Sequence, residues 1–285
     1  MIYDKRPCEL GEGAFWHPER RQLFWFDILG KKLHTTDRDG PQTFSFVEMV
    51  SAAGWVTRDH LLIAGERDLF LFEIGSEEIE TVAELEADNP ATRSNDGRAD
   101  RQGGFWIGTM GKRGGDDTGM GAIYRYYRGE LRKLFDGLTI PNAICFSPDG
   151  RTAYFTDTMT QRINRVALDP QGWPAEAPEL LVDLASEGLF PDGATVDAAG
   201  NIWNAQWGAS RVACYSPQGQ FLQAVGFDAP HTSCPAFGGP DGRTLFVTTA
   251  QQWMDAAALA RAPLSGQTFM APNVALGLPE PQVIL

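Results

Sequence analysis

Two carboxylates and two carboxamides stand out in this chain because they recur at one place in a repeat. Glu12, Asn95, Asn142 and Asp192, together with Ser51 and Ser233, each precede the centre of an apolar strand signal by 11 to 13 residues. Side chains at equivalent positions of successive repeats in a ring-shaped fold meet around its axis. Two carboxylates facing one another repel unless something positive lies between them. A divalent cation meets that need. Glu12 and Asp192 offer anionic oxygens and Asn142 a carbonyl oxygen, a hard set suited to calcium, magnesium or manganese, with zinc or iron also admitted. Three protein ligands leave positions for water and substrate, as at a catalytic metal. The mouth of a channel is also wet, which is enough to account for the two serines.

The elements that position these residues follow from the repeat itself. Six short apolar or aromatic runs recur: Leu23–Asp27, Leu61–Gly65, Phe105–Thr109, Ala153–Asp157, Ile202–Ala205 and Leu245–Thr249. One central residue of each run, Trp25, Ile63, Trp106, Tyr154, Trp203 and Phe246, marks the repeat, with spacings of 38, 43, 48, 49 and 43. A spacing of about 40–50 residues is the length of one four-stranded propeller blade. Turn signals such as Ser147-Pro148-Asp149-Gly150 and Gly239-Pro240-Asp241-Gly242 precede these runs, and alternating strands such as Arg162–Val166 follow them. The reading is an all-β, six-bladed β-propeller over residues 1–285, one domain with a metal site in its central channel. A two-sheet sandwich is the other architecture, but it gives no reason for a regular six-fold spacing. Helical propensity is confined to Met254–Ala260. The terminal Pro281–Leu285 reads as a strand, and its pairing with an N-terminal segment is one way to clasp the ring.

Composition narrows the function. The formal charge of −13 argues against nucleic acid and anionic membrane surfaces, both of which are bound through clustered Lys and Arg. No segment approaches a membrane span and the opening residues lack a signal-peptide core, so a cytoplasmic location is expected. Cys8, Cys145, Cys214 and Cys234 are scattered without CxxC spacing, as expected of buried free thiols in a reducing compartment. The four histidines form no HxxxH or HExxH pair, and there is no Gly-x-Ser-x-Gly elbow.

Several motifs together resemble the gluconolactonase/senescence-marker-protein (regucalcin-like) family. They are Gly11-Glu12-Gly13-Ala14-Phe15-Trp16, Leu23–Ile28, Arg93-Ser94-Asn95-Asp96-Gly97, Phe105–Met110, Pro141-Asn142, Pro191-Asp192-Gly193 and Phe237-Gly238-Gly239. The resemblance implies a six-bladed propeller with one axial divalent metal, calcium first among the candidates. By motif match it implies Glu12, Asn142 and Asp192 as metal ligands, Asp192 as the acid/base, and Arg93 and Asn95 as substrate contacts. The chain departs from the family's pattern at Ala14 and Ala143, where relatives often carry proline and glycine. It departs again in the loop Gly111-Lys112-Arg113-Gly114-Gly115-Asp116-Asp117, where some relatives place a substrate-binding acid.

The expected activity is hydrolysis of a small-molecule sugar lactone, with a metal polarising the ester carbonyl and Asp192 moving the proton. Two other readings stay open: a non-catalytic metal-binding regulatory or scaffolding propeller, and a metal-dependent hydrolase of another ester. Arg93 is read either as a substrate contact or as a surface charge paired with Asp96 or Asp100. Asp96-Gly97 reads as a turn, His231 as a solvated loop histidine near the ring, and Lys112 and Arg113 as solvated loop charges.

Overall fold

Each repeat opens on a strand of small and polar residues and continues into an almost wholly apolar one. That order sets which strand lines the axis and which is packed on both faces. The computed structural model describes residues 1–285. It contains six four-stranded antiparallel sheets. The inner strands are Gly11–His17, Ala52–Trp55, Thr92–Ala99, Pro141–Phe146, Phe190–Val196 and Thr232–Gly238, one in each of blades 1 to 6. The repeat markers lie on the second strand of each blade, and all six are buried.

The apolar core sits between blades. Phe24, Phe26 and Leu33 of blade 1 share a cluster with Leu61, Ile63, Phe70 and Phe72 of blade 2. Comparable clusters join blades 2 and 3, and blades 3 and 4. Every blade therefore stabilises its neighbours by burying apolar surface against them. Leaving the axis free of this packing is what allows polar residues there. The short helix, Ala256–Arg261, is capped by Asp255, whose side chain accepts from Ala258 N.

Two expectations need correction. The ring is clasped by Ile2–Asp4, which pairs antiparallel with Thr268–Ala271 as the outermost strand of blade 6. The terminal Pro281–Leu285 forms no strand. Residues 276–284 instead cross the end of the channel remote from the polar ring. Ala198 N donates to Leu276 O, Val283 N to Trp55 O and Ile284 N to Gly103 O, so the segment ties blades 5, 2 and 3 together. An N-terminal strand completes the sheet because blade 6 supplies only three strands after residue 232, leaving an open edge that needs a partner.

Candidate active site

β-Bulges aim the polar residues. The pairing register between inner and second strand slips at Glu12, Asn95, Asn142, Asp192 and Ser233 in blades 1, 3, 4, 5 and 6. An inserted residue bends the strand and re-directs a side chain that would otherwise pack between blades. Blade 2 has no slip, and Ser51 stays outside the cavity with its Oγ donating to Ser94 Oγ at 2.8 Å. Ser233 is also occupied, donating to Gly11 O. The six-membered ring thus reduces to four side chains, joined by Arg93.

The bulges demand unusual backbone. Gly13, beside Glu12, has φ +57°, and a Cβ there would lie 2.2 Å from Ser51 O. Ala143, beside Asn142, adopts the same φ of 57° although it carries a Cβ. Gly13→Ala is expected to cost more than about 1–2 kcal/mol, since left-handed strain adds to a clash with a fixed carbonyl. It should also displace Glu12. Urea unfolding and turnover measured on the same variant check both effects.

Carboxylates at the ends of the second strands hold the inner strands in place. Asp27 Oδ1 accepts from Leu10 N at 3.0 Å, two residues before Glu12. Asp157 accepts from Thr139 N at 2.9 Å and Ile140 N at 3.0 Å, just before Asn142. Asn204 Nδ2 donates to Asp192 O at 2.8 Å. Thr158 Oγ1 donates to Pro191 O at 2.8 Å, which spends its only proton. It can then only accept from Asn142, whose Nδ2 lies 2.9 Å away. That fixes the Asn142 amide with its oxygen toward Asn95, whose Nδ2 donates to it at 2.9 Å. A second lone pair of Asn142 Oδ1 is left over.

Glu12, Arg93, Asn95, Asn142 and Asp192 line one cavity of about 450 Å³, a size suited to a small ligand. All five are buried in the protein. Arg93 is no surface charge. Its Nη1 donates to Ser94 O at 2.8 Å and Asn95 Oδ1 at 2.9 Å, leaving its other N–H groups unbonded within the protein. Asp100 pairs with Arg125 instead, at 2.6 Å. Asp96 is not in a turn either. It lies on the inner strand of blade 3, buried, with Oδ2 accepting from Ile144 N at 2.7 Å.

Glu12 and Asp192 face Arg93 while Asp96 faces Arg98, and burial of all three carboxylates still dominates their protonation. Burial, then the charge of Asp96, pushes Glu12 up to about 8. Burial, then Glu12 and Asp96, drives Asp192 well above the usual carboxylate range. Burial raises Asp96 to about 6 and lowers Arg93 to about 10. No three His, Cys, Asp or Glu side chains form a ready metal-binding cluster. The oxygens that could hold a cation are the carboxylates of Glu12 and Asp192 and the Asn142 amide.

His231 is not a free loop side chain, since its ring stacks on Trp207 at 4.2 Å. Lys112 and Arg113 are paired, with Glu66 and with Asp117 respectively. Sequence reasoning missed Asp96, Thr158 and the apolar mouth of the cavity, where Phe190, Trp207 and Trp253 stand. The signal for Asp96 was its place directly after Asn95, within one bulge.

The SMP-30/Gluconolactonase/LRE-like region model matches residues 10–251. The chain belongs to that family. It is 33% identical to the 6-deoxy-6-sulfogluconolactonase of Pseudomonas putida, over 97% of this chain and 96% of that one. It is 34% identical to the L-arabinolactonase of Azospirillum brasilense, over 92% and 88% of the two chains. Its fold superposes on a calcium-binding protein, regucalcin, of Agrobacterium tumefaciens strain C58 with a TM-score of 0.97. That pair is 38% identical, and the match covers 100% of this chain and 97% of the other.

Proposed function

We propose that this family member hydrolyses a sugar lactone to the open acid and uses one divalent cation to do so. As an enzyme it is a carboxylic-ester hydrolase, and the two lactonases among its relatives named above each open a sugar lactone. The observation that carries the finer reading is the convergence of Glu12, Asn142 and Asp192 beside Arg93 and Asn95 in one cavity.

The donor set fits a hard cation. Two buried carboxylates and an amide oxygen with a spare lone pair present only oxygens, and Arg93 alone does not neutralise them. When bound there, a cation would polarise the ester carbonyl and compensate the buried negative charge. Asp192 has two oxygens, so one remains free to take the proton of the attacking water. Returning that proton to the ring oxygen lets the alkoxide leave as a hydroxyl. Asn95 is held between Arg93 and Asn142, and Arg93 keeps unspent N–H donors on the cavity side. Both suit the recognition of lactone hydroxyls. The cavity buries the reacting ester among these groups and limits competing water.

Opening of an aldonolactone panel, followed with a pH indicator before and after chelation, tests the reading. Metal-dependent turnover is expected, and a background rate with calcium, magnesium, manganese, zinc or iron added rejects it.

The raised carboxylates also set the sign of a pH effect on stability. In the metal-free protein Glu12 keeps its proton up to about pH 8, while the unfolded chain releases it near pH 4.5. The stabilisation from folded-state protonation is fully present below 4.5 and is lost as pH rises through 8. His17, His34 and His231 are shifted down by burial, so their contribution is intact above pH 6.5 and falls only below it. Between pH 6.5 and 8 the chelated protein should therefore lose stability as pH rises. Added cation should reverse the trend, because metal and proton compete for the same oxygens. Denaturation midpoints with and without chelator measure both slopes.

A further inference from the structure

The cavity has two chemically distinct halves. Its floor is the polar group already described, and its mouth is walled by Ile140, Met159, Phe190, Trp207 and Trp253. Trp253 is 69% exposed and Met159 47%, so these side chains are not there to fill a core. Trp253 also sits at φ +63°, a left-handed conformation that is an outlier for a bulky residue. An exposed indole on a strained backbone returns nothing to folding, and such strain concentrates at ligand sites. Its ring is nonetheless held, edge-on to Trp207 at 5.7 Å, and Trp207 is in turn stacked on His231. From the other side the double-glycine turn packs against the mouth. A Cβ on Gly114 would stand 3.4 Å from Trp253 and one on Gly115 3.2 Å from Met159.

The cation at the mouth, Arg113, is already paired with a carboxylate. Lys112 is engaged by Glu66, and the Nε of Arg113 donates to Asp117 Oδ1 at 2.7 Å. Asp116 adds an unpaired carboxylate to the lining. An anionic substituent would meet the carboxylate of Asp116 and an Arg113 already paired with Asp117, and the polar side chains left for a hydroxyl are Asp116 and Gln252.

Building on the lactonase reading, we propose that this apolar mouth is a specificity subsite. It takes a methyl or other apolar group on the carbon outside the lactone ring, as in a 6-deoxy lactone. The polar floor binds the ester and the neighbouring hydroxyls, and the aromatic wall covers the apolar end. A hydrophobic pocket discriminates by about 10–200-fold per methylene-sized group.

The test uses three hexonolactones of one configuration that differ only at the exocyclic carbon: methyl, hydroxymethyl and sulfonate. It is run on the protein and on Trp253→Ala and Phe190→Ala. The expected result is a kcat/KM at least about tenfold higher for methyl than for sulfonate, with hydroxymethyl between. Each variant should narrow that ratio, lowering kcat/KM for the methyl substrate by a larger factor than for a pentonolactone without the exocyclic carbon. If lactones open but the methyl compound is not preferred, or the ratio survives both variants, the subsite is wrong and the lactonase reading stands. If no lactone opens, both fall.

Discussion

Asp192→Asn is expected to lower turnover by at least about a hundredfold and to leave the metal-free fold as stable as before, or more so. General acid–base groups contribute about 10²–10⁴-fold, and an amide can neither accept nor return the proton. The stability effect has the opposite sign for an electrostatic reason. Asp192 is buried beside Glu12 and Asp96, and both raise its pKa. Folding must either charge Asp192 against these neighbours or keep it protonated, and an asparagine of the same shape avoids both costs. A core residue with a purely structural role would behave otherwise, losing stability along with activity. Initial rates on a lactone, paired with the thermal midpoint of the chelated protein, separate the two outcomes. Retained activity in the asparagine variant would end the assignment of Asp192 as the proton carrier.

The second large effect is expected at the far end of the channel. Arg98 lies on the inner strand of blade 3, buried, with Nη1 bonded to Glu280 and Nη2 donating to Pro235 O at 3.4 Å. Burial opposes its charge, but Glu280 together with Asp96 and the neighbouring buried thiols outweighs this and its pKa rises. The backbone carbonyl of Glu280 accepts from Trp55 Nε1 at 2.8 Å, which keeps the crossing segment in place. Glu280→Ala strands a buried guanidinium and should cost about 3–5 kcal/mol. In a chain of this size that is on the order of 10 °C in Tm. Replacing both partners, Arg98→Met with Glu280→Leu, should recover most of the loss, because a buried pair has little advantage over apolar residues of similar volume. A double variant no more stable than the single one would show that Glu280 acts through its packing, not its charge.

The repeat, the blade count and four of the six residues read as a polar ring were legible in the chain because local rules govern them. A blade is a local unit of turn and strand signals, and equal offsets translate into equal heights along the axis. Glu12, Asn95, Asn142 and Asp192 could therefore be grouped by arithmetic on positions. Ser51 could not be told from Asn95 in that way, because a bulge decides which of the two faces the cavity. A bulge reflects a one-residue mismatch between paired strands, and neither strand encodes it alone.

Asp96 was misread for a related reason, since Asp-Gly is a turn signal anywhere except on a bulged strand. The clasp was misread because either terminus could supply a fourth strand to blade 6, and only packing decides which edge is closed. The mouth of the cavity is likewise tertiary. Phe190, Trp207 and Trp253 come from separate segments of the chain, and nothing in their spacing links them. The sequence by itself determined the ring and the chemistry of its polar residues. Only the tertiary structure decided which of them share a cavity and what apolar wall stands above them, because both depend on contacts between blades.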